Sequence, residues 1–206
     1  MKQAPARYSI EKLVCPQTGK NEYLLISNGE AAAIDVSGAY DSVQRILNQE
    51  NNGKKTVLKY ILPTHAHPSH LQAVSRMQKD FGAALVLHPS EYDLLKEVQP
   101  KLEPTLWIKD NQELSLGEVI IRVIHTPGHT KGSLCFMLNG EEVLFSGSTL
   151  LKQGYGRIWG PKSMSLMLFS LKRINYSIYA DTKVYPRSGE ATTVGQESWM
   201  NCLRSA

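Results

Sequence analysis

The 206-residue chain has only three cysteines, Cys15, Cys135 and Cys202, far apart and odd in number. This excludes a disulfide framework, and it excludes a zinc site built from closely spaced cysteine pairs. The thiols are expected to be reduced, in a cytoplasmic compartment. No apolar run approaches the ~20 residues of a membrane-spanning helix. Met1 to Lys12 lacks the continuous apolar stretch of a secretory signal, so no membrane or export segment is expected. Charge of one sign is also lacking. Lys and Arg number 23 against 19 Asp and Glu, a scattered net charge of +4 that does not suggest a nucleic-acid partner. No Pro/Gly/Ser-rich linker interrupts the chain, so residues 1–206 read as a single domain. The apolar fraction of 42% excludes a disordered chain and suffices for a substantial core.

What is present is a mixture of strand and helix patterns. Tyr23–Ile26 and Ala31–Ile34 flank an Asn28-Gly29 turn, a hairpin signal. Val43, Ile46 and Leu47 repeat at helical spacing, with Gly53 expected to close that helix. Val57–Leu62 reads as a buried strand stopped by Pro63. Leu71, Val74, Met77 and Phe81 share one helical face ending at Gly82. Leu85–Leu87 reads as a strand, and Pro89 opens a helix carrying Leu94, Leu95 and Val98. Further strands are expected at Val119–Ile124, Leu134–Leu138, Val143–Phe145 and Val184–Tyr185, with Asn139-Gly140 turning between the second and third. A glycine-rich loop runs from Gly147 to Gly160, and Met164 to Ile174 form an amphipathic helix whose methionines face the core. A terminal helix holds Trp199 and Leu203. Hairpins among alternating strands and helices predict an α/β fold of two packed sheets with helices outside, not a doubly wound parallel sheet.

Six histidines stand out: His65, His67, His70, His88, His125 and His129. Three fall in Thr64-His65-Ala66-His67-Pro68-Ser69-His70, between a buried strand and a helix start. An extended chain has period two, so His65 and His67 leave it on the same side. His129 follows another strand, in a loop shaped by Pro127 and Gly128. Neutral imidazoles suit zinc and iron, and a shared metal site of His65, His67 and His129 is expected. His88 and His125 read as ordinary loop residues.

These residues resemble the metallo-β-lactamase superfamily, most closely its short glyoxalase II-like (hydroxyacylglutathione hydrolase-like) members. The resemblance rests on Asn21–Leu24, Ile34-Asp35, Thr64–His70, His125–Thr130, Leu144–Leu150, Gly154–Arg157, Val184–Pro186 and Thr192–Gly195. It implies a four-layer αββα sandwich, two mixed β-sheets flanked by helices, with the site at one edge. It also implies a first metal on His65, His67 and His129. At the second metal the family's aspartate, bridging aspartate and last histidine fall at Ser69, Ser148 and Ser188, leaving His70 alone. A neutral hydroxyl is a poor substitute for a carboxylate or imidazole, so at most one zinc ion, or none, is expected. Arg187 stands where the family has glycine, and its guanidinium is expected to reach into the second-metal space. Ser69 is expected to cap the following helix. Asp35 and His70 are the weak catalytic candidates, Asp35 either supporting the ligands or merely capping a turn.

Two functions follow from the resemblance. One is a catalytically impaired or non-catalytic member that binds a small molecule or partner in the cleft. The other is a mononuclear zinc hydrolase acting on a thioester or ester. An iron-dependent oxygenase fits less well, since such members place a carboxylate at the position of Ser148. The helical glutathione-recognising domain of full-length glyoxalase II has no counterpart in these residues, which removes the argument for that substrate. The sequence carries no signal for the oligomeric state.

Overall fold

Residues 8–49, 55–138, 140 and 143–205 are described by a computed structural model. The first sheet runs in the order β1 (Ser9–Val14), β2 (Asn21–Ser27), β3 (Glu30–Ile34), β4 (Val57–Leu62), β5 (Ala84–Leu87) and β6 (Leu106–Trp107). β1–β3 are joined as antiparallel neighbours, and β3–β6 are parallel. The second sheet runs β7 (Glu113–Leu116), β8 (Val119–His125), β9 (Leu134–Leu138), β10 (Val143–Gly147), β11 (Lys183–Pro186) and β12 (Thr192–Thr193), in sequence order across the sheet. All its pairs are antiparallel except β10 with β11. Both sheets are therefore mixed.

The period-two rule explains the layers. Alternate residues of β2 and β3 point to opposite faces, and both faces are covered. Leu25, Ala32 and Ile34 point inward and meet Ile121, Val123, Phe136 and Phe145 of the second sheet. Leu24, Ala31 and Ala33 point outward beneath α1 (Tyr40–Leu47) and α3 (Val74–Phe81), represented by Val43, Val74 and Met77. On the far side Met137, Leu144 and Val184 lie under Met167, Leu171 and Ile174 of α5 (Pro161–Ser177). The result is helix, sheet, sheet, helix, as the hairpin pattern and the family resemblance imply.

Several local expectations change. The apolar stripe from Leu71 to Phe81 is split into α2 (Pro68–Leu71) and α3, because the Leu71 carbonyl accepts from Gln99 Nε2 at 2.9 Å. Ser69 does not cap a helix: His67 is the N-cap of α2, Pro68 occupies the first turn and no side-chain cap bond forms. Pro89 opens a 3-10 turn (Pro89–Glu91) that leads into α4 (Tyr92–Val98), and the last helix, Ser198–Ser205, is also 3-10. Helix α1 ends at Leu47; Gly53 and Asn139 lie outside the described residues. Strands β1, β6, β7 and β12 lack a strong sequence signal. Three are short or half-exposed, and β1 alternates exposed and partly buried positions at a sheet edge. Among the described residues no helix is long and apolar enough to cross a membrane.

Candidate metal centre

Two strand exits, one from each sheet, build the site. β4 ends at Leu62 and the chain bends at Thr64 and His65 before His67, tied to the second sheet where Leu134 N–H donates to the Thr64 carbonyl at 2.8 Å. β8 ends at His125 and opens the loop that carries His129. Gly128 in that loop has φ +148°, and a Cβ there meets the Met167 backbone of α5 at 2.6 Å. Only glycine permits this approach of loop to helix. Gly147, with φ +54°, brings β10 against Thr64 in the same way, 2.4 Å from Thr64 Oγ1 to where a Cβ would stand.

The expected trio converges. One ligand nitrogen from each of His65, His67 and His129 lies within 4.8 Å of the others, the one such group of three among the described residues. The rings stand nearly perpendicular, with centroids 4.6 to 4.8 Å apart. Their outer hydrogen bonds fix the tautomers. His129 Nδ1–H donates to the Arg157 carbonyl at 2.7 Å, leaving Nε2 bare. Thr64 Oγ1 donates to the Asp35 carboxylate and accepts from His65 Nδ1 at 3.1 Å, leaving Nε2 of His65 bare. His67 turns Nδ1 toward His129 Nε2 at 3.1 Å. Burial holds all three rings below the usual imidazole range, that of His67 at about 4. They are therefore neutral at pH 7, the form that binds a metal. Three neutral imidazoles at this spacing fit a zinc-type ion with an open fourth position.

Asp35 bonds to the histidine segment through Thr64 and His70. It is buried, and its backbone sits at φ +54°, a conformation that Asp tolerates better than most residues. The carboxylate accepts from Thr64 N–H at 2.7 Å, from the Thr64 hydroxyl and from His70 Nδ1–H at 2.8 Å. The His70 ring lies 3.9 Å from that of His65 but stands outside the group of three. Ser69, Ser148 and Ser188 are half-buried. Ser69 follows Pro68 in α2, and the Ser148 carbonyl accepts from Gly156 N–H at 2.8 Å. Arg187 is buried, with its guanidinium on backbone and hydroxyl oxygens.

Other residues carry little or no sequence signal. Glu91, a lone acid in a polar stretch, is buried with its carboxylate accepting from Ala66 N–H and Gly132 N–H, both at 2.7 Å. It ties the two histidine loops together, and burial raises its pKa. Trp159 donates its indole N–H to the His129 carbonyl at 3.1 Å and carries the Arg157 guanidinium over its ring at 4.2 Å. It walls a groove of about 260 Å³ that His67 and His129 open into, with Asp93, Glu97 and Lys131 on the other side. His88 and His125, expected to be ordinary, stack at 4.0 Å and 10° between the ends of β5 and β8.

The comparisons agree with this geometry. The family model described as metallo-beta-lactamase superfamily matches residues 20–206. A probable polyketide biosynthesis zinc-dependent hydrolase, BaeB, of Bacillus velezensis is 31% identical over 83% of this chain and 72% of its own length. The hydroxyacylglutathione hydrolase of Francisella tularensis subsp. novicida is 31% identical over 80% of this chain, which spans only 61% of that relative. Among solved structures, the BLEG-1 B3 metallo-beta-lactamase superposes with a TM-score of 0.78 at 27% identity, covering 96% of this chain and 100% of that one. A metallo-beta-lactamase from Staphylococcus aureus gives 0.83 at 22% identity, over 99% of this chain and 64% of that one, and shows the fold alone. Two mixed sheets between helices, a three-histidine centre at their shared edge and a family match over nearly the whole chain place this protein in the metallo-β-lactamase superfamily.

Proposed function

We propose that this chain is a one-metal member of its family, a weak hydrolase of esters or thioesters. One observation carries the reading: ligand nitrogens of three histidines meet within 4.8 Å, and no carboxylate joins them among the described residues. By the family resemblance, Ser69, Ser148 and Ser188 stand where a second metal takes its ligands, and a neutral hydroxyl does not replace a carboxylate there. A zinc ion on the three histidines supplies Lewis acidity and lowers the pKa of a water to about 7.

The chain's own residues do the rest. Thr64 and Arg157 hold the tautomers of His65 and His129. The Trp159 wall and the groove beside His67 seat a small substrate. Asp93, Glu97 and Lys131 line the groove and Arg157 stacks on its Trp159 wall, so it offers charges of both signs to a small substrate. Buried Cys15 and Cys135 and exposed Cys202 are all free thiols, in keeping with a reducing compartment.

Elemental analysis of protein purified without chelators tests the reading. One zinc per chain supports it, and two tightly held ions overturn it. A chain free of metal after growth in zinc-rich medium establishes a binding protein instead. Turnover of a simple thioester is expected well below the usual range of roughly 1 to 10³ per second. A rate within that range also overturns it.

A further inference from the structure

Arg187 is 2% exposed and lies among oxygens drawn from three separate parts of the chain. Nη1 donates to the carbonyls of Asn21 at 2.7 Å and Asp35 at 2.8 Å. Nη2 donates to Ser37 Oγ at 3.2 Å and to the Ser69 carbonyl at 3.0 Å. Its only carboxylate within ion-pair range among the described residues is Glu22, at 3.6 Å. Glu22 is itself fully buried and accepts from Ser37, Gly38 and Ala39. The Arg187 backbone N–H donates to the Gly147 carbonyl at 2.9 Å, at the end of β10.

These partners are not scattered. Ser69 and Ser188 hold two of the three lost ligand positions, and Arg187 is bonded to the first and adjacent in sequence to the second. Gly147, which its backbone holds, immediately precedes the third, Ser148. A dinuclear centre would draw these same three loops together around a dication. Here the Arg187 guanidinium reaches the Ser69 carbonyl and its backbone N–H the Gly147 carbonyl, and two buried carboxylates, Glu22 and Asp35, lie around it. A buried cation is tolerated only when it is paired and well bonded; this one meets four acceptors through Nη1 and Nη2, while its Nε–H has no partner.

We propose that Arg187 is a resident cation that replaces the second metal ion, tying the three loops together and balancing the carboxylates beneath them. The inference rests on the one-metal reading above. It makes the loss of second-site ligands a substitution of one cation for another, not decay of the site. It also separates two roles: Arg187 positions the loops and touches no substrate.

The test compares the parent, Arg187→Met and Arg187→Lys by thermal melting, in chelator and in saturating zinc. The parent gains stability from one bound ion. Arg187→Met loses the fixed charge, so it melts lower in chelator. With Ser69, Ser148 and Ser188 still in place no second ion takes over, so zinc raises its melting temperature only as far as it raises the parent's. Arg187→Lys keeps the charge and recovers most of the loss seen in chelator. An Arg187→Met variant that melts with the parent in chelator overturns the inference, and so does an Arg187→Lys variant that melts no higher than Arg187→Met.

Metal counting supplies the second readout. Ser69→Asp, Ser148→Asp and Ser188→His together are expected to leave one zinc per chain while Arg187 remains. Adding Arg187→Met is expected to raise the count to two, and Glu22→Gln is included so that no buried carboxylate is left unpaired. Two zincs with Arg187 still in place overturn the inference, and so does a folded fivefold variant that holds one. Should the fivefold variant fail to fold, the melting comparison decides alone. A parent that already holds two zincs overturns the one-metal reading itself. A parent with one zinc whose Arg187→Met variant melts with it in chelator overturns only the role of Arg187.

Discussion

Thr64 shows how much a single hydroxyl does at this centre. It passes the negative charge of Asp35 to the His65 ring and so decides which imidazole nitrogen is bare. Thr64→Val removes that hydroxyl at nearly constant volume. Groups in this outer position typically change metal affinity by about 10–100-fold, and a loss in that range is expected in a zinc competition titration against a chelator, with the fold retained. His88 carries a different consequence. Burial, with His125 stacked beside it, pushes its imidazole down to about 4, from 6.5 in an unfolded chain. Above pH 6.5 neither state holds this proton and folding loses nothing to it. As pH falls from 6.5 toward 4 the unfolded chain binds the proton first, so stability declines across that window. His88→Asn keeps an acceptor for the Ser90 N–H but removes the titrating ring. Its urea midpoint is expected to fall less steeply than the parent's between pH 7 and pH 4.

At the scale of elements, the site depends on how closely loops approach helices. The β8 exit loop meets α5 at Gly128, where the Pro127 carbonyl also accepts from Ser170 Oγ at 2.7 Å. Gly128→Ala puts a methyl group into the Met167 backbone and forces a strained φ. A loss of more than ~1 kcal/mol is expected, read as a lower melting temperature, together with weaker zinc binding because His129 rides on the same loop. The sequence marks this loop well, since Pro127-Gly128 announces a turn after a strand. It gives no sign that the turn is shaped to admit a helix more than thirty residues later. The split between α2 and α3 was hidden for a similar reason. The apolar stripe is continuous, and the interrupting amide of Gln99 comes from a distant helix end.

Across the whole molecule, the inner layer between the sheets carries the largest apolar side chains. Phe136 is fully buried there, among Val123, Phe145 and their partners. Phe136→Ala is expected to cost about 3–5 kcal/mol by the combined loss of transfer energy and the cavity left behind, measured by urea denaturation at pH 7. The sequence by itself determined the fold class and marked the three histidines that converge. Each of these is a local pattern: alternation in strands and paired histidines at a strand exit. Only the tertiary structure decided what surrounds those histidines. Asp35, Glu91, Trp159 and Arg187 act on groups that are remote in the chain, from Asp35 on Thr64 to Arg187 on Asn21, and a lone polar residue bears no local mark of the partner that folding brings to it. A buried charge is kept only where distant donors and acceptors converge on it, and that convergence is a property of the packed sheets, not of any stretch of sequence.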